Sequence, residues 1–426
     1  GIFHHEARIE FQDGSTITVD DMDIFSLQIS EASSNTSSFD LGAANADQLT
    51  LKLNNIDGKF DTHDFSEALI TVKIGLELPD RSTEWLNKGS FNAEPGEESG
   101  NTIAVKAFDD MVKFDQPYSL SKLAYPATLG NIVRDACSCC GVTLAPDTAS
   151  FDNDNYVVQN RPDDSSVTFR QVLQWVGQIA CKFFVINIDG KLSARWYNTE
   201  ILESMWGYKE DGGLYNINGE LIEDSSGLII VEETEGIIKT DALLSGSVIK
   251  TDDVVITGIK VVEEDQGDTS EETTYQSGAE GYVLEISGNK LIQDGNGATI
   301  ASYLGERLNG LQFRPMEVDV PTDPAREAGD LGLVTDARGR HYKTIFTNIE
   351  YNAHAAQKLT SGAEAPTRLS SVRYSQATRV YKELRANLKK QKTEWDAAFD
   401  KLQSEMKTKN GLFPIRETQE DGCSIL

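Results

Sequence analysis

A cluster of cysteines has the residue types and spacing best suited to metal chemistry. A zinc site would use Cys137 and Cys140, one helical turn apart, together with Cys181 and a distant fourth ligand. The sequence has no second CxxC pair and no nearby histidine, and zinc ligands usually come as two such pairs. Buried free cysteine behaves as a small hydrophobic residue, so we predict structural thiols instead. The odd total of five cysteines argues against a disulfide framework and favours synthesis in a reducing cytosol.

The histidines are the next candidates for catalysis or metal binding. His4 and His5, followed by Glu6, could bind a metal, but neighbouring residues of a strand point to opposite faces. The chain does not begin with methionine, which suggests a trimmed or tagged chain, and terminal histidine pairs are often left from a tag. His341 and His354 lie in or beside a predicted strand, without a nucleophile motif. Because GxSxG, HExxH, P-loop and dinucleotide motifs are also absent, we predict no catalytic residue, no metal and no cofactor.

Pairs of neighbouring acids suggest an alternative function. A glycoside hydrolase uses two carboxyl groups on either side of the scissile bond. Neighbours in sequence rarely achieve that placement, and 68 acidic residues make accidental pairs expected. A cell-wall hydrolase or a glycan-binding protein therefore remains the alternative hypothesis. The pairs are Asp109-Asp110, Asp163-Asp164, Asp252-Asp253 and Glu263-Glu264-Asp265.

The first 117 residues have the pattern of strands joined by turns. Residues 7–11 and 15–19 alternate around Asp13-Gly14, which is a hairpin signal. Leu49, Leu51 and Leu53 alternate with polar residues at the period of a half-buried strand. We therefore predict a β-barrel or a β-sandwich here.

After Tyr118 the pattern becomes helical. Residues 128–140 and 168–180 carry apolar side chains at steps of three and four, and each segment starts with a threonine at a capping position. A predicted hairpin at 182–196 completes a small α/β domain. In a second β-rich region, residues 297–311 predict a further helix, and the acidic segment 263–281, rich in Ser, Thr and Gly, predicts a mobile loop.

These patterns predict a mainly β protein of the α+β class with two β-barrel domains. No segment is apolar for long enough to span a membrane. The predicted parts are a first β-barrel domain (1–117), a small α/β domain (118–198), a second β-barrel region (199–368) with a helix-containing insertion (about 263–317), a C-terminal trimerisation helix (369–410) and the start of a downstream fibre or tip segment (411–426).

The segment 371–410 contains neither proline nor glycine, and its apolar residues follow a heptad rhythm with one stutter. A helix of about 40 residues would be about 60 Å long with only a narrow seam to bury. We predict self-association through this seam, with docking onto the chain's own body as the alternative. Trp395 would be crowded in a dimer, which favours a trimer. The seam residues are Leu384, Leu388, Gln391, Trp395, Phe399, Leu402 and Met406.

The charge of the chain is strongly negative, with 39 Lys+Arg against 68 Asp+Glu and a net charge of −29. This balance argues against a protein that holds nucleic acid through phosphate contacts. The predicted helix 371–410 carries ten basic and five acidic residues, so the acidic excess belongs to the body of the protein. If that body forms a ring, we expect a negative wall that repels DNA rather than binding it.

Several short stretches together resemble one family. Residues 85–91 (WLNKGSF) and 103–118 (IAVKAFDDMVKFDQPY) are similar to the end of the first barrel in tail-hub proteins of phages and prophages of Gram-positive bacteria. Residues 129–144 and 167–173 resemble the two helices of the α/β domain in that family. Residues 324–339 resemble its last barrel.

The resemblance implies a structural role. Hubs of this family have two related β-barrels per subunit, and three subunits place six barrels in a ring that adapts a sixfold tail tube to a threefold tip. Implied partners are further copies of the chain, a tail-tube or distal tail protein ring, a tape-measure protein and downstream tip or fibre domains, with DNA passing through the lumen without specific binding. Residues 410–413 and 419–422 resemble the region where such proteins continue into a fibre or enzyme domain. The implied location is the tail tip of a virion, assembled in the host cytoplasm.

Overall fold

The computed structural model describes residues 2–36, 38–162, 166–199, 207–208, 214–215, 237–240, 242–264, 272–363, 417–418 and 424–425. These residues are mainly β, as the sequence predicts. The predicted trimerisation helix and its seam lie outside the described residues. No helix in the described ranges is long and apolar enough to cross a membrane.

The first part of the chain supplies eight strands: β1 (Phe3–Glu10), β2 (Thr16–Asp20), β3 (Ile24–Ala32), β4 (Gln48–Asn54), β5 (Leu69–Glu77), β6 (Thr83–Ala93), β7 (Glu97–Ser99) and β8 (Thr102–Phe108). They pair in the order β3-β4-β8-β6-β5-β1-β2, with β7 on β8. The inward residues of these strands form one apolar core. The hairpin predicted around Asp13-Gly14 is confirmed as β1 and β2.

The small α/β part follows with α1 (Leu129–Cys140), α2 (Phe169–Ala180) and the strands β9 (Ala127–Thr128), β10 (Thr143–Leu144), β11 (Val157–Val158), β12 (Phe183–Ile186) and β13 (Lys191–Arg195). Both predicted caps are confirmed. The hydroxyl oxygens of Thr128 and Thr168 each accept a hydrogen bond at 3.2 Å, from the backbone N–H of Asn131 and Gln171.

Close contact between α2 and the loop after β3 depends on two glycines. A Cβ at Gly177 would lie 2.6 Å from the carbonyl oxygen of Lys182 and 2.9 Å from the Cα of Gly42. Gly42 itself has φ +77°, a conformation that other residues rarely adopt. The helix therefore packs directly against backbone, which fixes the α/β part against the strands.

The rest of the chain supplies β14 (Gly207–Tyr208), β15 (Leu214–Tyr215), β16 (Ile237–Thr240), β17 (Val248–Ile249), β18 (Val254–Val255), β19 (Gly258–Glu264), β20 (Glu272–Gly278), β21 (Val283–Ile286), α3 (Gly297–Leu308), β22 (Gln312–Phe313), β23 (Met316–Val320), β24 (Leu331–Thr335), β25 (His341–Ile345), β26 (Asn348–Asn352), β27 (Gln357–Ser361), β28 (Glu417–Thr418) and β29 (Ser424–Ile425).

The prediction of a mobile loop over 263–281 is wrong for β20. This strand pairs antiparallel with β19. Its side chains Tyr275 and Ser277 meet α3 at Gly297 and Gly305, where the helix has no side chain. The sequence pattern did not show this strand because the glycines that admit its side chains lie on α3, outside the segment itself.

The two β-rich parts join in one twelve-stranded sheet, called here the main sheet. Its order is β17-β23-β27-β26-β3-β4-β8-β6-β5-β1-β2, with β7 as the twelfth strand on β8, and the join is the antiparallel pair β26 and β3. A second layer of β16, β24 and β25 covers β23, β27 and β26 over a small apolar core.

The expected barrels are not closed within the described residues. The reason is visible at β3, whose two edges are occupied by β4 and β26. Because β3 pairs with the last part of the chain, it cannot return to β2 and close a ring of strands. The first part is instead an open sheet curled around its core.

Candidate functional site

One face of the main sheet is polar and faces away from the apolar cores; we call it the polar face. Along β4, the fully buried leucines 49, 51 and 53 alternate with Gln48, Thr50, Lys52 and Asn54, as the sequence predicts. Residues directly opposite each other in an antiparallel pair share a face. The polar face therefore continues from strand to strand across the join of β3 and β26.

Two cross-strand rows show this continuity. The first row is Asn352, Gln28, Thr50 and Lys106, on β26, β3, β4 and β8. The second row is Asp319, Lys358, Glu350, Ser30 and Gln48, on β23, β27, β26, β3 and β4. Both β-rich parts thus contribute to one uninterrupted polar surface.

The charges on the polar face are balanced over the six strands around the join. On β3, β4, β8, β23, β26 and β27 this face carries three lysines and three acids, and its other residues are mostly Ser, Thr, Asn and Gln. The acidic excess of the chain therefore does not come from this face of the six strands. The charged residues are Lys52, Lys106, Lys358, Glu317, Asp319 and Glu350.

A groove of about 760 Å³ lies on the polar face. Ser30, Gln48 and Thr360 line it from the strands. Arg170 of α2, paired with Asp115 at 2.6 Å, lines it from the α/β part. Small-molecule pockets are mostly apolar. The polar lining here is typical of a wetted surface rather than of a ligand pocket.

Behind the polar face lies a buried ionic junction between the three parts of the chain. Lys88 on β6 donates hydrogen bonds from Nζ to Glu31 Oε1 at 3.0 Å and to the carbonyl oxygen of Pro324 at 3.1 Å. The other oxygen of Glu31 accepts from the backbone N–H of Ala328 at 3.2 Å. Nearer the surface, Arg195 on β13 pairs with Glu327 at 2.5 Å, with the two side chains 35% and 38% exposed. Since these partners come from all three parts, the junction fixes their relative positions.

Ionisation at this junction is strongly perturbed. Burial raises the pKa of Asp109 to about 7, although backbone N–H groups of Met111 and Asp47 donate to its carboxylate and oppose the rise. Burial and the neighbouring Asp109 also raise the pKa of Asp47. Burial would lower the pKa of Lys88, but Glu31 and further carboxylates outweigh it and raise that pKa. The junction therefore combines a fixed positive charge with carboxyl groups that resist ionisation.

A second cluster of polar groups contains three of the histidines. His5 is 2% exposed, and its Nδ1 and backbone N lie 2.8 and 3.0 Å from Asp21 Oδ1. Its Nε2 lies 2.8 Å from the hydroxyl of Tyr351 on β26. His4 Nδ1 reaches the other oxygen of Asp21 at 3.2 Å, and His354 Nε2 lies 3.9 Å from Asp21 Oδ1. His4 and His5 point to opposite faces of β1, yet both contact the carboxylate of Asp21. They can do so because Asp21 lies in the turn after β2, beyond the end of the strand.

The other candidates from the sequence have structural surroundings. Cys137, Cys140 and Cys181 are buried, and burial raises the pKa of each thiol to about 12. In the part of the chain that the structure describes, the group of metal-ligating side chains that comes together is His5, Asp21 and His354, not the cysteines.

The acid pairs likewise have separate structural partners. Asp109 caps a short 3-10 helix at Met111, and Asp253 pairs with Arg314. The Glu263 carboxylate accepts from the backbone N–H groups of Gly295 and Gly297, at 2.7 and 2.9 Å, at the start of α3. Asp163 and Asp164 lie outside the described residues.

Comparison with known proteins gives matches in structure only. No protein-family model and no curated protein matches the chain. A tail protein from Neisseria meningitidis MC58 is similar with TM-score 0.46 and 10% identity, covering 84% of this chain and 96% of its own. The 43 kDa tail protein of prophage MuSo2 from Shewanella oneidensis is similar with TM-score 0.45 and 10% identity, covering 84% and 95%. A Francisella PdpA–VgrG complex is similar with TM-score 0.42 and 8% identity, covering 86% of this chain and 59% of the solved chain. These structures are tail proteins and a VgrG assembly, and no function passes from them to this chain at this degree of similarity.

Proposed function

We propose that the chain is the structural hub of a phage or phage-like tail tip. In this proposal it is a homotrimer that caps the tail tube, adapts sixfold to threefold symmetry and lets DNA pass at ejection. The seam from Leu384 to Met406 holds the three copies together. The role is structural rather than enzymatic, and the protein belongs to the virion.

The continuous polar face is the observation that carries the proposal. Each subunit places two β-rich parts side by side, and their strands β17-β23-β27-β26 and β3-β4-β8-β6 follow one another in one sheet. Three subunits would present six such four-stranded units. A polar face over an apolar core is what the inner wall of a water-filled ring requires, because the wall must be wetted on one side.

The balanced charge of the polar face refines the proposed passage of DNA. A basic wall would bind phosphates and slow the transit of DNA. With three lysines against three acids and many small polar residues, this face offers neither strong attraction nor strong repulsion. We therefore propose low adhesion, rather than electrostatic repulsion, as the property that suits this wall to DNA.

The proposed trimeric ring implies the binding partners of the protein. One end would contact a tail-tube or distal tail protein ring and the tape-measure protein, and the other would continue into tip or fibre domains. The ionic junction supports this arrangement, since a hub under load needs its α/β part fixed to both β-rich parts.

The oligomeric state of the full chain tests the proposal. Sedimentation velocity at micromolar concentration should give a trimer for the wild-type protein. Leu388→Asp combined with Leu402→Asp should give monomers, because both changes place charges in the seam. The matched control Lys389→Asp lies beside the seam and should remain trimeric. A monomeric wild-type protein at micromolar concentration would overturn the trimer.

The hydrolase alternative has a direct test of its own. A zymogram of the purified chain on bacterial cell walls should show no clearing. A cleared band that disappears in an Asp252→Asn, Asp253→Asn double variant would favour the enzyme.

A further inference from the structure

We propose that His5, Asp21 and His354 form a binding site for one divalent transition-metal ion, with zinc as the ion that best suits the donors. The site would connect the β1–β2 hairpin to the turn after β26. This inference is independent of the hub proposal, since it concerns the cohesion of a single subunit.

The donor set is the first support. One ligand atom from each of the three side chains lies within 4.8 Å of the other two. Two imidazoles and a carboxylate, with a fourth position open to water, are a common donor set for zinc. Hard cations such as calcium prefer sites built from oxygen alone, so imidazole donors favour a transition metal.

The spacing of the donors fits after a small adjustment. In a tetrahedral zinc site the ligand atoms lie roughly 3.3 Å apart, because each bond is about 2.0–2.1 Å long. His5 Nδ1 is 2.8 Å from Asp21 Oδ1, and His354 Nε2 is 3.9 Å from the same oxygen. His5 Nδ1 and Asp21 Oδ1 must therefore move apart by about 0.5 Å, and His354 must move closer to both. The His354 side chain is 55% exposed and can rotate without disturbing a core.

The surrounding groups would orient the ligands. Without an ion, His5 Nδ1–H donates to Asp21 and the Tyr351 hydroxyl donates to His5 Nε2 at 2.8 Å. With an ion on Nδ1, that nitrogen gives up its proton and Nε2 takes one from solvent, so the neutral ring then donates to the Tyr351 oxygen. A hydrogen bond on the far side of a ligating imidazole is the usual support of such sites. His4 would hold the second oxygen of Asp21 from the opposite side, at 3.2 Å.

The backbone at His354 is a further sign. This residue has φ +63°, a left-handed conformation that is uncommon outside glycine but that histidine adopts more readily than most side chains. Strained positions are retained where the surrounding structure uses them. Here the conformation brings the His354 ring to 5.0 Å from the ring of His5.

Metal binding by the full chain, free of any tag and treated with chelator, tests the site. ZnCl₂ added before dialysis should leave one zinc per chain by elemental analysis. Asp21→Asn should weaken binding at least tenfold, and His354→Asn should do the same while tolerating the left-handed backbone. Tyr351→Phe should weaken binding roughly tenfold through the loss of ligand orientation. The control His63→Gln removes a histidine that stacks on Phe11 and should bind as the wild type does.

The spectrum of bound cobalt separates this site from the cysteines. CoCl₂ should give the visible bands of a nitrogen- and oxygen-ligated ion without thiolate charge-transfer bands. Thiolate bands would place the ion at the cysteines and overturn the proposal. Absence of binding, or binding unchanged in His354→Asn, would overturn it as well.

Discussion

Replacing Lys88 by methionine is expected to destabilise the protein strongly. The Nζ atom lies 3.0 Å from Glu31 Oε1, and the side chains of the two residues are only 5% and 12% exposed. Methionine keeps the length of the side chain but removes the charge. The Glu31 carboxylate would then remain buried without its counter-ion.

The magnitude follows from the geometry. At 3.0 Å and an effective dielectric constant of about 20, the attraction between the two charges is roughly 5.5 kcal/mol, and much of it offsets the cost of removing both groups from water. Breaking one side of a buried pair typically costs 3–5 kcal/mol. We expect a loss of about 3 kcal/mol, because the backbone N–H of Ala328 still donates to Glu31.

Urea unfolding followed by circular dichroism measures this loss, and hydrogen exchange locates it. The variant should unfold at a lower urea midpoint and exchange faster in β3, β6 and the segment around Pro324. Lys52→Met on the polar face is the matched control, expected to change stability by less than about 0.5 kcal/mol.

A double variant completes the test. Lys88→Met with Glu31→Gln removes both charges and should recover part of the loss, since a neutral replacement of a buried pair is often tolerated. A cost below about 1 kcal/mol for Lys88→Met, or equal to that of Lys52→Met, would refute the assigned role of the junction.

Further predictions concern pH, packing and assembly. Because the pKa of Asp109 is raised to about 7, the native protein keeps a proton that the unfolded chain loses near its ordinary pKa of 3.8. Stability should therefore fall as pH rises from about 4 to about 7, and Asp109→Asn should reduce that fall by roughly 1–3 kcal/mol. Urea midpoints of the wild type and of Asp109→Asn at pH 5 and 7.5 measure this change in stability. An Asp109→Asn variant with the same pH dependence as the wild type would contradict the role of Asp109. Gly177→Ala should cost roughly 2–4 kcal/mol, because its Cβ would lie 2.6 Å from the carbonyl oxygen of Lys182 and 2.9 Å from the Cα of Gly42. The control Gly130→Ala should cost little, because its Cβ would lie 3.3 Å from the flexible Arg134 side chain and 3.5 Å from the Cβ of Asp154. Thermal melting compares the two variants, and similar melting points would count against the packing. Leu388→Asp alone should shift the trimer towards monomers in sedimentation velocity, and a fully trimeric variant would argue against the seam.

Helix caps and strand alternation were largely predictable from short stretches of the sequence. The caps at Thr128 and Thr168 and the alternation of β4 are all set by residues within a few positions of one another. Helical and strand periods are properties of short segments, so a sequence displays them directly. The β20 strand is the exception, because the features that permit it lie on α3.

Long-range structure was not predictable in the same way. The alternation of β3 shows which of its faces is buried, but not that its free edge pairs with β26. His5 and Tyr351 meet across 346 positions of sequence, and Lys88 and Pro324 across 236. No local signal marks such pairs, so both the ionic junction and the histidine cluster emerge only from the folded chain.

Electron cryo-microscopy of the full-length chain tests the central claim most directly. The account predicts a threefold ring with a stalk, in which the row from Asp319 to Gln48 faces the central opening. Isolated single subunits, or a ring lined by another surface with the polar face turned outward, would contradict it.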